Sequence, residues 1–176
     1  GMSSITKSLN FIRFSSIRSS RSLSGVAVGA GHSFVEYKDK VAKITLEDIK
    51  RLNALTADMD LNKMIVEINK KVDEDDVRAV ILTGSSAGKA FSAGGDLNFL
   101  WDRSRTDPEE NKKIMMNFYE SFLCIRHLKV PVISAINGHA VGAGAALAFA
   151  ADIRLALSDA KISFPFTKLG IHPGMA

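Results

Sequence analysis

VPVISAINGHAVGAGAALAFAADI, from Val130 to Ile153, decides how this chain folds. Val132 to Ile136 is a short apolar run rich in β-branched residues, and it reads as a buried strand. Asn137-Gly138 interrupts it. Val141-Gly142-Ala143-Gly144 follows as a small-residue turn, and Ala145 to Ala151 has the alanine content of a helix. A strand that passes through glycines into a helix leaves bare backbone N–H groups at the helix start. Such groups can hold an anion or a developing oxyanion. The spacing is not a dinucleotide fingerprint, because the third glycine would fall at Leu147. Tight packing alone could also select these small residues.

Outward from this stretch, strand and helix patterns alternate. Phe34 to Tyr37 and Val41 to Leu46 flank a polar turn at Lys38-Asp39-Lys40. Thr56 could cap a helix running to about Val72, with Leu61, Met64, Ile65 and Ile68 on one face. Ala79 to Thr83 reads as a buried strand. A second glycine turn, Ala93-Gly94-Gly95-Asp96, leads into a short helical piece at Leu97 to Trp101. Asp107 and Pro108 open a longer helix with Met115, Phe118, Phe122 and Ile125 as its core stripe. Asp152 to Ala156 and Lys161 to Ser163 read as further strands. The alternation predicts an α/β fold with parallel strands.

Composition narrows the function. The 176 residues can bury a sizeable core. No apolar run reaches membrane-spanning length. Cys124, the single cysteine, excludes an intrachain disulfide, and no Cys/His spacing suggests a metal site. The net charge of +4 comes from Lys7, Arg13, Arg18 and Arg21; the remainder is balanced and gives no case for nucleic acid. Residues 1–31 are Ser/Arg-rich and free of acids, the composition of a mitochondrial transit peptide and linker, which places the expected protein in the matrix. Residues 32–176 form the expected core.

Two glycine turns that each lead into a helix could supply two convergent N–H donors, the device that stabilises charge on a carbonyl oxygen. The residues Ala90-Phe91-Ser92-Ala93-Gly94-Gly95-Asp96-Leu97, with Pro131 to Gly144, resemble the enoyl-CoA hydratase/isomerase (crotonase) superfamily. Lys50-Arg51-Leu52-Asn53-Ala54-Leu55, Ala151-Asp152-Ile153-Arg154 and Gly170-Ile171-His172-Pro173-Gly174 match further landmarks of that family, in unbroken order. The resemblance implies a crotonase-like ββα spiral, here incomplete at its C-terminal end and so exposing apolar surface. It implies homotrimers, or dimers of trimers, at full length. It implies no cofactor beyond the coenzyme A thioester, which is the substrate.

Carried over by position, the oxyanion donors would be the backbone N–H groups of Gly95 and Ala143. Lys50, Arg51, Ala54, Ala93, Gly94, Asp96, Leu97, Gly142 and Phe166 would line the path of the acyl-CoA. Hydratases of the family resemble one another in two glutamates that handle water. Those positions are Ala146 and Phe166 here, and neither can transfer a proton. Asp96, His139, His172 and Glu120 are the candidates for a substitute acid or base. The implied function is an acyl-CoA enzyme that stabilises a thioester enolate. The alternatives are a CoA-binding but catalytically silent protein, or an isomerase, decarboxylase or thioesterase built on the same donors.

Overall fold

A computed structural model describes residues 33–172. The expected transit peptide and linker, residues 1–31, and the Pro173-Gly174 end of the last landmark lie outside the described residues.

Two parallel-rich sheets carry the fold. The larger has the order β1-β2-β3-β5-β7, built from β1 (Ser33–Lys38), β2 (Val41–Leu46), β3 (Ala79–Gly84), β5 (Val132–Ile136) and β7 (Ile153–Ala156). Only β1 and β2 pair antiparallel; β2-β3, β3-β5 and β5-β7 are parallel. The β1-β2 hairpin closes through Asp39 and Lys40, both with positive φ, the geometry that suits a two-residue turn to the twist of its strands. The smaller sheet has the order β4-β6-β8, from β4 (Ala90–Ser92), β6 (His139–Val141) and β8 (Ile162–Ser163). Its two- and three-residue strands are too short for a periodic signal, so β4 and β6 read as turns in the sequence.

The helices are α1 (Asn62–Asp73), α2 (Leu97–Arg103), α3 (Pro108–Leu123) and α4 (Ala143–Phe149). Asp107 caps α3 as its sequence predicts, accepting from the N–H groups of Glu109 and Glu110. The expected start of α1 at Thr56 is corrected. The N–H of Leu61 donates to Ser121 O of α3 at 2.8 Å, which holds residues 56–61 against α3 in a non-helical path. Asp60 then meets the first turn, its Oδ1 accepting from Asn62 N at 2.9 Å. Tertiary hydrogen bonding has overridden local propensity.

The core lies between the large sheet and the helices, around Ile44, Leu82, Phe91, Ile68, Phe122 and Ile136. Asn137 fastens the end of β3 to the chain where it leaves β5. Its Oδ1 accepts from Gly84 N at 3.1 Å and its Nδ2 donates to Gly84 O at 2.8 Å. At the other edge, β7 is exposed along its length, and Phe149, Leu155, Phe164 and Leu169 are also open to solvent.

Candidate active site

The site is built where the two glycine turns meet. The first is backed by the loop after β2. Leu55 N donates to Gly94 O at 2.7 Å, and Asp96 N donates to Leu55 O at 3.0 Å. This parallel bridge engages the residues on either side of Gly95, so the peptide N–H of Gly95 itself faces away from Leu55. The loop is in turn held by Asn53, which is fully buried. Its Oδ1 accepts from Asp48 N and its Nδ2 donates to Ala90 O, each at 2.8 Å.

The second turn is the start of α4. Gly142 N donates to Ser163 O at 2.8 Å, which leaves Ala143 as the first helical residue. Neither Gly95 N nor Ala143 N donates to another described residue. An added Cβ at Gly94 would lie 2.7 Å from Val141 O and 3.6 Å from Ala143 N, so the turns touch. Ser92 sits between them. Its Oγ accepts from Gly94 N at 3.3 Å, and a Cβ at Gly144 would come within 2.6 Å of its side chain.

Both turns line one pocket of about 90 Å3. Ala93, Gly94, Gly95, Leu97, Gly142, Ala143 and Phe166 all contribute to its wall, so seven of the residues singled out in the sequence converge. The rest of the wall is apolar: Leu100, Met115, Phe118, Leu169 and Ile171, with Tyr119 and His172 as its ionisable members. Leu100, Met115, Phe118 and Tyr119 carry no motif; only the helical spacing of 115, 118 and 119 could have placed them together.

Four of the residues expected along the acyl-CoA path stand outside this wall. Lys50 and Arg51 occupy a 3-10 turn, with Arg51 paired to Asp48 and 4.0 Å from Asp96. Ala54 is buried behind the first turn. Asp96 is the N-cap of α2, its Oδ1 accepting from Phe99 N at 3.0 Å. Asp96→Ala is expected to cost about 1 kcal/mol, the usual worth of a cap, and to lower the melting temperature by roughly 2–4 °C. A melt of the purified variant, read by circular dichroism, checks it.

Of the acid/base candidates, only His172 lines the pocket. His139 Nδ1 accepts from Lys161 N at 3.2 Å, at the start of the central strand of the small sheet. Glu120 is exposed, 3.7 Å from His127, and borders a separate surface groove with Asp60 and Asn62. Cys124 is fully buried, and burial pushes its thiol up to about 12, as suits a packing residue. Phe166 stands against Gly142, and Phe164 links it to Phe149 through ring contacts of 6.2 and 5.7 Å. The position is an aromatic wall with no acid.

Residues 36–176 match the family model for enoyl-CoA hydratase/isomerase. Over 134 residues the chain is 42% identical to a probable enoyl-CoA hydratase of Mycobacterium tuberculosis, covering 76% of this chain and 50% of the relative. It is 37% identical over 140 residues to the short-chain-enoyl-CoA hydratase of Clostridium acetobutylicum, covering 80% and 52%. A Thermobifida fusca protein solved in complex with acetoacetyl-CoA superposes with a TM-score of 0.67 at 27% identity, covering 89% of this chain and 62% of its own. The chain thus spans about half the length of the curated relatives it matches. These relatives are bacterial, and bacteria have no mitochondria. That finding overturns the expectation of a transit peptide and a matrix location, which rested on the composition of residues 1–31 alone.

Proposed function

For a chain that belongs to the enoyl-CoA hydratase/isomerase family, we propose a role as an acyl-CoA enzyme that gathers the charge of a thioester enolate between Gly95 N–H and Ala143 N–H. The observation that carries this reading is the contact of the two glycine turns at one apolar pocket, with both N–H groups uncommitted among the described residues. An apolar wall strengthens such hydrogen bonds by excluding water. The acyl thioester enters along Ala93, Gly94, Leu97 and Gly142, with Phe166 closing one side. Lys50, Arg51 and Ala54 lie on the far side of the first turn, where the nucleotide end of the coenzyme extends. The division of the chain at residue 32 is supported by the start of the family match at residue 36.

The reaction class follows from what surrounds the donors. No carboxylate lines the pocket among the described residues. Proton transfer therefore falls to a group other than residues 146 and 166, and His172 is the sequence candidate in position. The same observation favours a second reading, a CoA binder without turnover. Loss of enoyl-thioester absorbance from crotonyl-CoA, with CoA binding measured by calorimetry in parallel, separates them. Turnover is expected. Binding without turnover would favour the silent binder or another acyl-CoA reaction, and loss of both would sink this site.

A further inference from the structure

The pocket wall holds two ionisable side chains among the described residues, His172 and Tyr119. Tyr119 belongs to α3, one turn beyond Met115 and beside Phe118, whose ring centroid is 6.0 Å away. No hydrogen bond to a described residue shifts its titration, burial being the one cause, so its proton is uncommitted. The ring is half-buried, and burial alone raises the phenol above the ordinary tyrosine value. No charged neighbour contributes to that shift. The group therefore stays protonated across the physiological range, which makes it an acid and disqualifies it as a base.

We propose that Tyr119 is the proton donor of this pocket, delivering its phenolic proton to the α-carbon of the enolate held by Gly95 and Ala143. The proposal deepens the enolate reading above and rests on it. In the step, the Tyr119 O–H bond breaks and a C–H bond forms from the enolate electron pair. The negative charge leaves the thioester oxygen, which returns to a carbonyl, and resides on the phenolate. The enolate itself forms when water adds to the β-carbon of the enoyl thioester; the proton which that water loses returns to the phenolate, so one water is consumed and Tyr119 is regenerated. A thioester enolate is a far stronger base than a phenolate, so transfer runs downhill even from a phenol of raised pKa. An apolar wall of Leu100, Met115 and Phe118 keeps competing water from the carbon.

Crotonyl-CoA turnover by the full-length protein tests this. Tyr119→Phe keeps the ring and removes the proton. It is expected to lower kcat by about 100-fold or more while KM stays within about threefold, the range of a lost general acid. Replacing Tyr119 with 3,5-difluorotyrosine, a more acidic phenol, is expected to move the alkaline limb of the kcat profile to lower pH, a change that a packing role would not produce. A Tyr119→Phe variant with kcat within threefold of wild type overturns the proposal, as does an alkaline limb that the fluorinated residue leaves in place. Wild-type protein that binds crotonyl-CoA without turning it over overturns the proposal and favours the silent binder or another acyl-CoA reaction, whereas loss of binding as well overturns the enolate reading itself.

Discussion

Ala143→Pro is expected to abolish most turnover while leaving the protein folded. Ala143 is the first residue of α4, and its N–H has no partner among the described residues. Proline is welcome at that helical position, because its fixed φ suits the first turn and the missing N–H costs no helix bond. Gly142 before it carries no Cβ to clash with the proline ring. The substitution therefore deletes one of the two proposed oxyanion donors and little else. Loss of one such donor costs about 3–4 kcal/mol of transition-state stabilisation, or roughly 100- to 1000-fold in kcat. The melting temperature should move by only a few degrees, and crotonyl-CoA should still bind. Ala143→Ser, which keeps the N–H, should remain near wild type. A folded Ala143→Pro protein with kcat within threefold of wild type would remove Ala143 from the donor pair.

How much of this was legible in the chain depends on the range of the interaction that fixed each part. The strands β2, β3 and β5 were readable because each is a five- or six-residue stretch dominated by apolar residues, and Asp107-Pro108 announced α3 through local capping chemistry. The strands β4 and β6 were not, since three residues set no period and their pairing is entirely non-local. Thr56 misled as a cap because the bond that displaces the helix start comes from Ser121, far along the chain. The site divides in the same way. Gly95, Ala143 and Phe166 stood in recognisable motifs and meet at one pocket. Tyr119 stood in an amphipathic helix where every stripe residue looked like core, and only the packing of α3 over the glycine turns distinguishes it. Asp96 and Glu120 had the right chemistry in the sequence. The structure commits the first to a helix cap and places the second on another face.

Gly94→Ala should be strongly destabilising, and it separates the folding role of the glycine turns from their chemistry. Two independent costs fall on the same carbon. Gly94 has φ of 103°, a conformation that L side chains rarely adopt, and holding alanine there costs about 1–3 kcal/mol. The new Cβ would also lie 2.7 Å from Val141 O, a backbone atom that no rotamer change can move aside. Overpacking of this kind costs about 1–3 kcal/mol. Together they amount to roughly 4 kcal/mol, a large part of the 5–15 kcal/mol that holds a typical domain. Relief would require the Val141–Gly144 turn to withdraw from Ala93–Asp96, which parts the two donors. Urea unfolding should show a sharply lowered midpoint with an unchanged slope, and turnover should fall even at temperatures where the variant stays folded. Gly88→Ala is the matched control, since its nearest neighbour would be Ser85 O at an ordinary 3.5 Å, and it should stay within about 0.5 kcal/mol of wild type. If Gly94→Ala matched that control, the two turns would not be in contact in solution, and the convergence on which the enolate reading depends would be lost.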